Sequence, residues 1–111
     1  MARYDKVHML VRAPAGTALA TAGSVSAVKL NAGGSVVLAG TADALGVIIV
    51  PGTVAAGHVV GVMLRGEIVE FGGSAGKGYY AQAGGTVGTA NPTTDTSIGF
   101  TVEADRLVVT M

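Results

Sequence analysis

Apolar positions are densest between residues 47 and 71, where β-branched and aliphatic side chains predominate. A Pro-Gly step and a run of small residues divide this stretch into short segments, as expected of consecutive β-strands. From Val60 to Leu64 apolar residues recur at every second position, but the phase changes at Gly66, and two apolar residues follow each other from Ile68. A glycine at a change of phase is typical of a β-bulge or a sharp bend. We therefore predict that these residues form the central strands, with an irregularity at Gly66.

The first thirteen residues contain neither glycine nor proline, and Val7, Met9 and Val11 alternate largely with polar or charged residues. This alternation predicts a strand or an extended N-terminal arm over residues 1–13. Three of the seven basic residues lie in this segment, so we expect the arm to be exposed or to lie on a partner. Residues 14–111 show no internal repeat and no domain boundary, which predicts one domain.

A second clear alternation lies near the C-terminus, where Ile98, Phe100 and Val102 recur at every second position. It predicts a half-buried strand with these three side chains on the buried side. Glycine occurs 18 times in 111 residues, too often for a helical period to persist over three turns. About eight short strands separated by turn signals predict an all-β fold, a small barrel or a sandwich.

The composition is low in charge for a small domain. Charged residues make up 13% of the chain, against roughly 25% in an ordinary globular domain, and the mean hydropathy is +0.57. A small domain normally covers its large surface with charge. We therefore expect part of this surface to be buried against copies of the chain or against a partner.

The charges balance overall but not along the chain. Seven basic and seven acidic residues leave no net field to attract nucleic acid, and no apolar run is long enough for a membrane-spanning helix. Residues 1–60 hold four basic residues and two acidic ones, whereas residues 61–111 hold three and five. A positive leading part and a negative body could help neighbouring copies to associate, but a difference of this size could equally arise by chance.

The sequence contains no convincing motif for catalysis or for metal binding. Residues 72–76 match the G-x-S-x-G pattern around Ser74, but glycine and tyrosine follow where a hydrolase needs a helix, which favours a flexible loop. His8 and His58 lack a second ligand at metal spacing, and the chain contains no cysteine. We expect no catalytic residue, no bound metal and no cofactor.

The tyrosine pair at Tyr79 and Tyr80 occupies adjacent positions of a predicted strand. Adjacent strand residues face opposite sides of a sheet. One of the two is therefore expected in the core and the other at a contact surface.

Four segments, residues 46–49, 56–66, 78–81 and 98–104, occur in a distinctive order. They are a glycine-led strand, an Ala-Gly turn into a long hairpin, a Gly-Tyr-Tyr strand and a closing Ile-Gly segment that ends in Glu-Ala. In this order and spacing the chain resembles the small head-decoration, or capsid cement, proteins of tailed bacteriophages. The resemblance covers roughly residues 40–111 and, more loosely, the arm.

The resemblance implies a small barrel or β-tulip-like domain and a homotrimer on the capsid exterior, assembled in the host cytoplasm. Its function would be structural: to bind the major capsid protein and to cement neighbouring capsid subunits, without an enzymatic activity and without a nucleic-acid or membrane partner. Seven residues are the predicted capsid or oligomer contacts: Tyr4, Val7, Met9, Val11, Arg12, Tyr79 and Tyr80. The alternatives are another virion or cell-surface β-module, tail-associated or carbohydrate-binding, and a small hydrolase that uses Ser74.

Overall fold

A computed structural model describes residues 2–20, 24–49, 52–89 and 96–111. Strands account for most of these residues; there is no α-helix among them, and one 3-10 turn lies at Ala83–Gly85. The strands are β1 (Arg3–Pro14), β2 (Leu19–Ala20), β3 (Ser26–Leu30), β4 (Val36–Leu38), β5 (Gly46–Ile48), β6 (Thr53–Val54), β7 (Val59–Val69), β8 (Gly78–Ala81), β9 (Val87–Gly88), β10 (Ser97–Glu103) and β11 (Arg106–Thr110).

Nine of the strands form one antiparallel sheet, curled into a half-barrel, in the order β4-β3-β5-β7-β11-β10-β8-β9, with β1 added on β7. The two remaining strands, β2 and β6, pair with each other. β7 is the hub, because β1 follows it from end to end, β5 pairs with it at Met63, and β11 pairs with it from Arg65 to Ile68. The predicted all-β fold is confirmed.

The irregularity predicted at Gly66 is present. Gly66 has φ 149°, and a Cβ there would collide with the Lys6 carbonyl oxygen, so only glycine lets β1 approach β7 at this point. The β1–β7 register shifts around it, which leaves Asp5 and His8 as extra residues on β1 and Leu64 on β7. These bulges bend the pair and change which side chains face inward.

Two clusters of buried side chains lie on opposite faces of the central strands. Val47 and Met63 belong to the larger cluster, and their neighbours in the chain, Ile48 and Val62, belong to the smaller one. All three residues of β5 are buried because both of its faces are covered. This double burial explains why β5 reads as a continuous apolar run rather than as an alternation.

The burial predicted for the C-terminal strand is wrong at two of its three positions. Ile98 is buried as expected, but Phe100 and Val102 are 47% and 51% exposed, and Thr101 is buried instead. The pairing of β10 with β8 shifts by one residue between Ser97 and Gly99, so consecutive residues face the core there. This bulge reverses the phase of every later residue in β10.

Candidate interaction surface

The N-terminal strand is paired along its whole length and yet remains open to solvent. Ten of the twelve residues of β1 are exposed, on both faces of the strand. Within the described chain its only partner strand is β7, so its outer edge has main-chain donors and acceptors without a strand beside them. Its large apolar side chains form what we term the arm surface: Val7 (46% exposed), Met9 (50%), Leu10 (37%) and Val11 (38%).

Tyr4 holds the start of β1 against the domain rather than facing outward. Its ring packs against the larger core cluster, and its hydroxyl donates to the carbonyl oxygens of Gly61 at 3.2 Å and Val47 at 3.4 Å. Burial raises the pKa of the Tyr4 phenol, an effect opposed by a backbone hydrogen bond with Ile49. Tyr4, one of the predicted contact residues on the arm, therefore anchors β1 to the rest of the chain.

Charged side chains tie the same half of β1 to its neighbours. Arg3 pairs with Glu70, and Lys6 approaches Glu67 at 3.9 Å. Glu67 also accepts a hydrogen bond from Arg106 of β11 at 3.2 Å, so its carboxylate links three adjacent strands. Arg12, in the other half of β1, is exposed and forms no ion pair within the described residues.

A hollow of about 300 Å³ adjoins the arm surface. His8 of β1, Arg65 of β7 and Thr110 of β11 are among its lining residues, so it crosses the three strands on the same side of the sheet. The hollow is large enough to take one side chain from a bound strand. It mixes polar and apolar walls, which suits a protein partner better than a small apolar ligand.

The tyrosine pair faces opposite sides, as predicted. Tyr79 is buried, its hydroxyl accepts a hydrogen bond from the Ser74 main-chain N–H at 2.8 Å, and its ring meets Phe71 edge to face at 4.8 Å. Tyr80 is half-buried on the other side of β8. A contact role remains a prediction for Tyr80, whereas Tyr79 has its ring and its hydroxyl engaged inside the chain.

The residues that suggested enzymatic chemistry have no catalytic or metal-binding surroundings within the described part of the chain. Ser74 lies in a loop that leads into β8 rather than into a helix, and its carbonyl oxygen accepts a hydrogen bond from the Thr101 hydroxyl. His8 and His58 are both exposed, and in the part of the chain that is described no three His, Asp or Glu residues gather where a metal could bind. Among the same residues there is no helix long and apolar enough to cross a membrane.

Neither a protein-family model nor a curated protein matches the chain. Among solved structures, a chain of the structure named "Mycobacterium phage Patience" superposes with a TM-score of 0.85 at 18% sequence identity. The match covers 98% of this chain and 95% of that chain. At this identity the likeness is one of fold, and the chain shares that fold along nearly its whole length with a protein from a phage structure.

Proposed function

We propose that this chain is a structural component of a phage virion, which binds the outer surface of the capsid as a homotrimer and cements neighbouring major capsid subunits. It would act on the capsid exterior after assembly in the host cytoplasm, without an enzymatic activity, a cofactor, or a nucleic-acid or membrane partner. The likeness to a chain of a phage structure supports the coarse part of this proposal. The arm surface supports the finer part.

The observation that carries the proposal is the exposure of β1. A long edge strand with exposed apolar side chains is a template for pairing, and natural proteins normally blunt such edges with charge, proline or a covering element. Lys6, Arg12 and Pro14 blunt parts of this edge, but between Lys6 and Arg12 the side chains of Val7, Met9 and Val11 stay uncovered. An extended segment of a capsid subunit that adds to this edge would bond to its main chain and cover these side chains.

Cementing follows from binding the assembled shell better than its free subunits. A protein that binds only the assembled state stabilises that state by mass action. Many modest contacts repeated over a lattice, and joined within an oligomer, give avidity without a strong single site. A low-charge surface with an open strand suits this role, because the bound state covers what the free chain leaves exposed.

The test is co-sedimentation of the purified chain with expanded phage heads that lack it. Val7→Asp and Met9→Asp change exposed residues, so each variant should fold like the parent chain and lose most of its binding to heads. Leu45→Asp is the matched control, because Leu45 is exposed to a similar degree but lies away from β1, and it should bind normally. Unchanged binding by both β1 variants would reject the role of the arm surface.

Substitution is a cleaner test than deletion of residues 1–12. Ala2 is buried, Tyr4 packs against the larger core cluster, and removal of the segment would also open the facing edge of β7. Loss of binding by the truncated chain would therefore mix loss of the arm surface with damage to the domain.

The alternatives draw less support from the side chains. A carbohydrate-binding module needs an exposed aromatic platform, yet of the five aromatic residues only Phe100 is exposed. Ser74 lacks the helix that follows the nucleophile of a hydrolase, and both histidines are solvent-exposed side chains far from it in the sequence. A tail-associated virion protein remains an alternative. The head-binding experiment distinguishes it from the proposed function, because such a protein would not bind to phage heads.

A further inference from the structure

One exposed patch lies at the start of β7. Arg12 pairs with Gly61 and Pro14 with Val59, so Arg12 and Val59 share one face of the β1–β7 pair. Leu10 lies on this face as well, because a Cβ at Gly61 would touch its methyl groups. Val59 is 64% exposed, and Arg12 has no ion pair among the described residues. We term Leu10, Arg12 and Val59 the basic end patch.

A second exposed patch lies at the turn between β10 and β11. Phe100 and Val102, which flank the buried Thr101 in β10, are both about half exposed. Asp105 occupies the turn that follows, is exposed, and forms no ion pair within the described part of the chain. We term Phe100, Val102 and Asp105 the acidic end patch. Each patch thus combines exposed apolar side chains with one charge that has no ion-pair partner among the described residues, and the two charges are opposite.

The charged residues of the two patches lie near opposite ends of β7. Thr101 pairs with Leu107, and Leu107 pairs with Ile68, so the β10–β11 turn lies beyond the Val69 end of β7. The basic end patch lies at the Val59 end. Eleven residues of strand separate these ends by roughly 33 Å at about 3.3 Å per residue, which is close to the longest dimension of the molecule, 36 Å.

We propose that copies of this chain associate head to tail, with the basic end patch of one copy seated on the acidic end patch of the next. The proposal deepens the self-association within the proposed function by naming the two surfaces that meet. Arg12 would approach Asp105 of the next copy, and the apolar side chains beside them would be covered together. Arg12 and Asp105 are too far apart to pair inside one chain, because Arg12 lies level with Gly61 whereas the turn that holds Asp105 lies beyond Val69, about 26 Å further along β7 at about 3.3 Å per residue.

This arrangement differs in kind from a two-fold dimer. Two different surfaces meet at each contact, so the interface is heterologous and closes into a ring when the rotation between copies allows it. Every copy in a ring uses both of its patches, and the outer edge of β1 from Lys6 to Met9 stays free for a capsid strand. Leu10 belongs to both the arm surface and the basic end patch, so self-association and capsid binding would use adjoining parts of β1 that share this residue.

The test uses the purified chain alone, and light scattering after size exclusion gives its mass. The parent chain should have a mass of at least twice 10.9 kDa, and of three times 10.9 kDa if the ring is the proposed trimer. Val59→Asp spoils the basic end patch and Val102→Asp spoils the acidic one, so each variant alone should run as a monomer. Mixed in equal amounts, the two should form a dimer of one copy each, because one intact basic end patch then meets one intact acidic end patch.

Leu45→Asp is the control, since Leu45 is exposed but belongs to neither patch, and it should keep the parent mass. Should Val59→Asp fail to fold, Arg12→Glu serves in its place, because Arg12 is exposed and forms no ion pair with any residue that the structure describes. A parent chain that is monomeric at high concentration, or a mixture that gives no dimer, would overturn the proposal. The light-scattering experiment does not measure binding to phage heads. Its failure would therefore reject head-to-tail association without rejecting the capsid role, which the co-sedimentation experiment tests.

Discussion

The strands on the two edges of β7 differ in how much of their surface is buried. One edge carries β1, which is paired along its whole length but exposed at ten of its twelve residues. The other strands paired with β7 are β5, which is only three residues long, and β11, and both contribute side chains to the core. The number of residues that a strand pairs with β7 therefore does not determine how deeply that strand is buried.

The difference teaches which part of the chain holds the fold and which part is kept available. A backbone hydrogen bond formed on folding replaces one to water, so its net contribution to the free energy of folding is small. Burial of apolar side chains is the dominant favourable contribution. The core strands carry the stability, and β1 is aligned by its pairing with β7 and by the Tyr4 anchor. The available side chains on β1 are those expected to meet a partner.

The largest expected change in the free energy of unfolding comes from substitution of a core residue in β7. Ile68→Ala removes a fully buried side chain from the larger core cluster and should lower the free energy of unfolding by about 2–5 kcal/mol. Met9→Ala, on the exposed side, should change it by less than about 0.5 kcal/mol. Urea denaturation of both variants measures the contrast. Equal losses would mean that β1 is as important to stability as the core.

A middle effect is expected where β1 crosses Gly66. Gly66→Ala places a methyl group against the Lys6 carbonyl at a strained φ, so it should cost at least about 1–3 kcal/mol and loosen β1 from β7. Hydrogen exchange should speed up in β1 and stay unchanged between β10 and β11. Gly57→Ala is the matched control, because its φ is also positive but nothing lies near its Cβ. Equal exchange in β1 for the two variants would contradict this explanation.

The smallest effect is expected at the Tyr4 anchor. Tyr4→Phe removes the hydroxyl that bonds to Val47 and Gly61, and should cost about 1 kcal/mol. The raised pKa of Tyr4 means that the folded chain holds this proton more tightly than the unfolded chain. Its contribution to stability is complete below the ordinary value near 10 and is lost as the pH rises through the raised value.

Thermal unfolding between about pH 8 and 11 checks this prediction. The parent chain should lose stability more steeply than Tyr4→Phe above about pH 10, because only the parent carries the buried phenol. Parallel pH profiles would show that Tyr4 titrates alike in the folded and unfolded chains.

Local patterns predicted the strands, the irregularity at Gly66 and the opposite facing of Tyr79 and Tyr80, because each depends on neighbours in the chain. The strand at residues 98–102 was assigned the wrong buried side at Phe100, since the bulge that reverses its phase arises from pairing with β8. An exposed phenylalanine and a buried one look alike in sequence, so only this register could distinguish them.

The arm surface was partly predictable. Val7, Met9 and Val11 follow the alternation, whereas Leu10 falls between them and was missed, because β1 is exposed on both of its faces. Tyr4 was expected at a contact surface, but its hydroxyl bonds to main-chain groups 43 and 57 residues away. No local pattern reports such distant partners.

The central claim is that β1 is left open in the free chain and covered in the virion. Its most direct test is methionine oxidation by peroxide, followed by mass spectrometry of Met9 and Met63 in the free chain and in purified virions. Met9 is half exposed and should oxidise readily in the free chain but slowly in virions, whereas Met63, fully buried, should oxidise slowly in both. Equal oxidation of Met9 in both states, or absence of the chain from virions, would contradict the account.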